Sequence, residues 1–234
     1  MELNKAKVLV TGGSSGIGLE TARQLILKGA KVAICGRNKE RLQKAADEIK
    51  AYPIIADVSI ESDVVTMVKS VIKELGDYNV LVNNAAYGYF SSLTEIDLEK
   101  FNRQLATNLT GAMLVARESA KHFISKNYGN IINISSTAGR KGFAGGTPYV
   151  ATKFALTGMN ECWRDELRKY NIRVMLLNPS EVQTSFVTNS GRNKREYNST
   201  KLDPYQIAQA VCSMLEMDDK GFIPELSVWA TNPK

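Results

Sequence analysis

Tyr149 and Lys153, in Pro148-Tyr149-Val150-Ala151-Thr152-Lys153, are four residues apart, and a helix puts positions i and i+4 on one face. A phenol and an ammonium so placed can work as one acid–base unit. Tyrosine ordinarily titrates at about 10, so exchanging a proton near neutrality requires a shift of roughly three units, about 4 kcal/mol of charge stabilisation. A neighbouring lysine supplies part of it. Such pairs are also common on solvated helix faces, so this one gains meaning only from the rest of the chain.

Lys7-Val8-Leu9-Val10 reads as a short buried strand running into Thr11-Gly12-Gly13-Ser14-Ser15-Gly16-Ile17-Gly18 and then an apolar-periodic helix through Leu25 and Ile26. Strand, glycine turn and helix come in the order a dinucleotide needs. Gly12 permits the tight turn, Gly16 lets backbone approach a pyrophosphate, Gly18 allows close helix–strand packing, and the helix N-terminus offers N–H groups to an anion. The spacing Gly-x-x-x-Gly-x-Gly differs from Gly-x-Gly-x-x-Gly, and a glycine-rich turn can be a turn and nothing more.

These residues need a frame. Strands are expected at Lys31–Cys35, Tyr52–Ala56, Val80–Val82, Asn130–Ile134, Ile172–Leu177 and Ile223–Trp229, and helices at Arg41–Lys50, Ile60–Leu75, Pro148–Tyr170 and Pro204–Met217. Two further helical stretches cover Thr94–Lys126, with a break near Asn108. The alternation predicts an α/β chain: a single-domain, Rossmann-type doubly wound parallel sheet of about seven strands with helices on both faces, occupying residues 1–234. In such a sheet ligands sit beyond the carboxyl ends of the strands. Thr11–Gly18, Gly36-Arg37, Asp57-Val58, Asn83–Ala86, Ser135-Ser136 and Asn178-Pro179 all follow strands and should gather along one rim.

Composition narrows the chemistry. The 234 residues are 44% hydrophobic, and no apolar run approaches the roughly 18 residues a bilayer span needs, so a cytoplasmic, non-membrane protein is expected. Cys35, Cys162 and Cys212 have no metal-site spacing, and the single histidine, His122, rules out a histidine triad or multi-histidine metal site. A formal charge of +6 is spread over many helices without a nucleic-acid recognition motif, so an anionic small ligand is the simpler partner. The run Arg192-Asn193-Lys194-Arg195, with Lys201 nearby, lies in an aperiodic polar stretch that reads as a mobile loop or lid.

Taken together, the glycine turn, Asp57-Val58, Asn83-Asn84-Ala85, Asn108, Ile134-Ser135-Ser136 and Tyr149-x-x-x-Lys153 make the chain resemble the short-chain dehydrogenase/reductase family over nearly its whole length. The resemblance implies a catalytic set of Asn108, Ser136, Tyr149 and Lys153. Tyr149 would be the general acid in carbonyl reduction, and Lys153 would lower its pKa and bond the nicotinamide ribose. Ser136 would bond the substrate oxygen, and Asn108 would hold a water joining Lys153 to solvent; a helix-cap or kink residue is its alternative reading. Cofactor contacts would come from Gly12, Ser14, Ser15, Gly16, Ile17, Gly18, Arg37, Asp57, Val58, Asn84, Tyr149, Lys153, Pro179, Val182 and Thr184.

After the second strand, where an acidic residue would bind a ribose 2′-hydroxyl, the chain has Gly36-Arg37. A guanidinium suits a 2′-phosphate, so NADP(H) is expected in preference to NAD(H), although Arg37 could simply cap the next helix. Three departures from the family pattern stand out: Ala86 in place of a glycine, Asn178-Pro179-Ser180 where Pro-Gly is usual, and no glycine-rich C-terminus. The second implies that Ser180 must accept a glycine-like geometry.

Substrate contacts are expected from loops 87–92, 137–147 and about 180–201. Tyr89, Phe90, Phe143 and Phe186 would make the pocket apolar and suit a ketone or aldehyde with a hydrophobic portion. The alternatives are an acidic substrate or a 3-ketoacyl group on an acyl carrier protein, drawn by the basic loop, and an NADP(H)-binding sensor or scaffold without catalysis. The family likeness also implies a homodimer or homotetramer.

Overall fold

In a computed structural model, residues 1–193 and 196–232 are described. Seven strands form one wholly parallel sheet in the order β3-β2-β1-β4-β5-β6-β7. They are β1 (Lys7–Thr11), β2 (Lys31–Gly36), β3 (Tyr52–Ile55), β4 (Val80–Asn83), β5 (Gly129–Ile134), β6 (Ile172–Pro179) and β7 (Glu225–Val228). Order reverses between β1 and β4, which places the crevice beyond their carboxyl ends.

Strand periodicity explains the two cores. Val8 and Val10 of β1 face one side, with Leu25, Leu42 and Val211 from α1 (Gly16–Leu27), α2 (Lys39–Ile49) and α8 (Pro204–Glu216). Leu9 faces the other, with Val64, Val115 and Leu167 from α3 (Glu61–Leu75), α5 (Ala112–Lys126) and α6 (Thr147–Leu167). With both faces covered, the inner strands β4, β5 and β6 are buried along their whole length instead of alternating between buried and exposed.

The expected helix from Thr94 starts later. Asp97 accepts a bond from the Lys100 N–H at 3.0 Å and caps α4 (Leu98–Leu105), leaving Leu93–Glu95 as an isolated 3₁₀ turn. The break near Asn108 is a π-helical segment, Ala106–Gly111, joining α4 to α5. The polar stretch after β6 is also more structured than its sequence suggests. It holds a short helix, α7 (Phe186–Asn189), and a Val182–Leu202 bridge.

Candidate active site

β1 ends in a clasp. Thr11 Oγ1 accepts the backbone N–H groups of Asn84 and Ala85 at 2.9 and 3.0 Å, and Asn84 Nδ2 donates to the Thr11 carbonyl at 2.9 Å. The loop after β4 is thereby fixed to the glycine turn. Gly12 sits at φ +64°, and a Cβ there would lie 3.0 Å from Ala85 Cα; at Gly18 it would lie 2.5 Å from both Asn84 Nδ2 and the Gly12 carbonyl. Ser15, the N-cap of α1, makes no side-chain cap bond, so the first helical N–H groups are left to the crevice.

That crevice is a cleft of about 440 Å³, lined by Gly12, Ser14–Ile17 and Asn84 along the turn, by Arg37, Arg41, Asp57 and Val58 at one end, and by Ser136, Tyr149 and Lys153 at the other. Pro179, Val182, Thr184 and Phe186 close a further side. Gly18 and Asn108 are the expected site residues set back from its surface.

Asn108 sits in the π-helical break, the kink position of its alternative reading. Its Oδ1 accepts the Tyr87 N–H at 2.7 Å, and its Nδ2 donates to the Tyr87 carbonyl at 2.9 Å and to Thr152 Oγ1 at 3.3 Å. The amide thereby ties the loop after β4 to α6. It pins the Tyr87 backbone, helped by Gln104 Nε2, which donates to the same carbonyl at 3.0 Å.

Lys153 is buried and donates to the Ile134 carbonyl at 2.8 Å, with Nζ 5.7 Å from the Tyr149 ring centre. Burial pulls its pKa down to about 8. Burial also pushes the Tyr149 phenol up to about 12, opposed by the Ser136 hydroxyl and the Arg192 guanidinium. Ser136 caps the 3₁₀ turn Thr137–Gly139, its Oγ accepting the Ala138 N–H at 3.1 Å.

At the other end, Arg37 Nη1 lies 3.5 Å from Asp57 Oδ2. Partial burial works against the Asp57 carboxylate, but bonds from Ser59 and the Arg37 charge outweigh it and hold its pKa below the ordinary value. The cap of α2 is Asn38, which accepts the Arg41 N–H at 2.8 Å, so Arg37 is not committed to capping. Arg41, not among the expected site residues, sends Nε to Ser14 Oγ at 3.3 Å. Its signal was in plain view, one helical turn after Arg37.

Around Tyr149, Phe90 and Phe186 lie with ring centres 5.2 and 5.7 Å away, and Phe143 meets Phe90 at 6.2 Å. Tyr89 does not join them. Its hydroxyl accepts the Asp97 N–H at 2.8 Å and serves the start of α4 instead of the pocket. Ser180 also departs from expectation: its N–H donates to the Val228 carbonyl at 2.9 Å, and it has no positive φ, so no glycine-like geometry is demanded. Ala86 is exposed and needs no glycine. Lys194 and Arg195 of the basic run lie outside the described residues.

A doubly wound parallel sheet with a glycine cradle at its switch point and a buried lysine beside a tyrosine at the cleft's far end defines a dinucleotide-binding oxidoreductase fold. Residues 6–195 match the short chain dehydrogenase family model, and the chain belongs to that family of oxidoreductases. An uncharacterized oxidoreductase of Bacillus subtilis, YxnA, is 33% identical over 226 residues, covering 90% of this chain and 64% of the relative. This chain thus spans less than two thirds of that protein's length. An uncharacterized oxidoreductase of Staphylococcus epidermidis is 29% identical, covering 96% of this chain and 97% of its own.

Among solved structures, an alcohol dehydrogenase from Thermococcus sibiricus complexed with 5-hydroxy-NADP has a TM-score of 0.88 at 27% identity, covering 97% of this chain and 98% of its own. A 3-ketoacyl-(acyl-carrier-protein) reductase from Brucella melitensis complexed with NADH has the same score, identity and coverage. An NAD⁺-bound xylitol dehydrogenase scores 0.87 at 29% identity, over 98% of this chain and 100% of its own. Nicotinamide cofactors of both kinds are thus found on this fold. No helix among the described residues is long and apolar enough to cross a membrane.

Proposed function

We propose that the protein transfers hydride between NADP(H) and a carbonyl or secondary alcohol, with Tyr149 as the general acid and base. The observation carrying this reading is one cleft that joins the Gly12–Ile17 cradle to Ser136, Tyr149 and Lys153. When bound, the reduced nicotinamide supplies the hydride that adds to the carbonyl carbon. Tyr149 gives its hydroxyl proton to the oxygen that receives the displaced electron pair, and Ser136 bonds that oxygen as its charge grows. Lys153, free to leave the Ile134 carbonyl for a ribose and the phenol, would then lower the phenol's pKa. Asn108 is a positioning residue, acting through Tyr87. Gly12, Ser14, Ser15, Gly16, Ile17 and the Asn84-braced turn would hold the pyrophosphate; Asp57 and Val58 the adenine; Pro179, Val182 and Thr184 the nicotinamide.

The preference for NADP(H) rests on two cations lining the cleft, Arg41 at Ser14 and Arg37 at Asp57, with Asp57 offsetting only part of that charge. A second reading, a 3-ketoacyl-(acyl carrier protein) reductase, is favoured by the Brucella melitensis neighbour. The test follows NADPH and NADH oxidation against ketones, aldehydes and a 3-ketoacyl thioester, with parent protein and an Arg37→Met/Arg41→Met double variant. NADPH should be favoured by about tenfold or more in the parent, and the ratio should fall toward one in the variant. Faster NADH turnover by the parent would remove the phosphate assignment. Tight NADPH binding without any turnover would favour the sensor reading.

A further inference from the structure

We propose that Arg192 binds an anionic group on the substrate, so that the protein acts on oxo acids, carbonyl compounds that also carry a carboxylate. The proposal deepens the hydride-transfer reading and rests on it for placing the carbonyl at Tyr149. After α7 the chain turns back, with the Arg192 N–H bonded to the Val187 carbonyl at 3.3 Å. Its side chain thereby returns to the aromatic cluster.

The guanidinium carbon stands 4.0 Å from the Phe90 ring centre, and that ring touches Tyr149. Arg192 Nε donates to Ser190 Oγ at 3.1 Å, and among the described residues no carboxylate meets the group. Arg37, Arg117, Arg140 and Arg173 each do meet one. Burial works against the Arg192 charge.

A half-buried cation without a counter-ion is costly, and a ligand carboxylate would offset that cost. Stacking on Phe90 fixes the guanidinium plane while leaving edge N–H groups for a planar, two-pronged acceptor. Phe90, Phe143 and Phe186 would line the span between carboxylate and carbonyl. Arg103, stacked on Tyr87 at 4.7 Å and lining the cleft that reaches Tyr149, is the competing cation.

The test compares 4-formylbenzoate with its methyl ester in NADPH oxidation by the parent, Arg192→Met, Arg192→Lys and Arg103→Met. In the parent, kcat/KM should favour the carboxylate by about tenfold. Arg192→Met should bring the ratio toward one, Arg192→Lys should restore part of it, and Arg103→Met should leave it in place. No preference in the parent, or a preference lost with Arg103 and kept without Arg192, overturns the proposal. Benzoate titrated calorimetrically into the NADP⁺-loaded protein separates this site from the reaction. Binding weakened several-fold by Arg192→Met with no turnover of either aldehyde keeps the anion site and contradicts the reductase reading. Benzoate binding unaffected by Arg192→Met contradicts the anion site, whatever the turnover.

Discussion

Lys153 carries a cost that the fold alone does not require. Its pKa falls from 10.5 to about 8 because the ammonium is buried. Between those values the unfolded chain holds the extra proton, so stability rises as pH climbs from about 8 to 10.5 and the full penalty applies below 8. That penalty is roughly 3 kcal/mol, offset in part by about 1 kcal/mol from the bond to the Ile134 carbonyl. Lys153→Met should therefore raise the cofactor-free Tm at pH 7 by about 4–8 °C while turnover collapses, and should flatten the rise in stability above pH 8. A lower Tm at pH 7 would contradict this account. The positions of Tyr149, Lys153 and Ser136 were legible because i,i+4 spacing and strand ends are local facts. The engagement of Asn108 with Tyr87 was not, because it joins residues 21 apart through a π-helical segment.

At the scale of elements, the wall over Tyr149 depends on how α7 seats on the loop after β4. A Cβ at Gly88 would lie 2.8 Å from both Phe186 Cζ and Ser190 Cβ, so α7 rests directly on that backbone. Gly88→Ala should displace the helix, raising KM for a carbonyl substrate about fivefold or more while NADPH affinity and Tm stay near the parent's. Unchanged KM would mean that α7 does not shape the pocket. Strands and long helices were readable to within a few residues because burial imposes a period. In contrast, α7 has only four residues, too few to establish one, and the Val182–Leu202 bridge is set by tertiary pairing. The sequence places Arg192 only within a basic loop for the same reason: the turn after α7 is what brings it to Phe90.

For the molecule as a whole, the parallel sheet and its covered faces followed from alternating elements, and the switch point followed from the order of strands. Association between copies is not encoded in any period. Leu98 on α4 and Phe154 on α6 are 69% and 46% exposed on helices that touch each other, leaving apolar surface for a second copy. Light scattering should accordingly give a dimer or tetramer of the 25.8 kDa chain, and Leu98→Lys/Phe154→Lys should shift it toward monomer. A parent protein that is monomeric at all working concentrations would refute this assembly.

The claim on which the rest depends is proton donation by Tyr149 coupled to hydride arrival at a carbonyl carbon. It is tested most directly by supplying NADPH deuterated at the transferred position with an accepted carbonyl substrate, and weighing the product from parent and Tyr149→Phe proteins. The parent should place one deuterium on the new carbinol carbon, and Tyr149→Phe should bind NADPH normally but form product at least about a hundredfold more slowly. A product without the label, or a Tyr149→Phe protein as fast as its parent, would contradict the account.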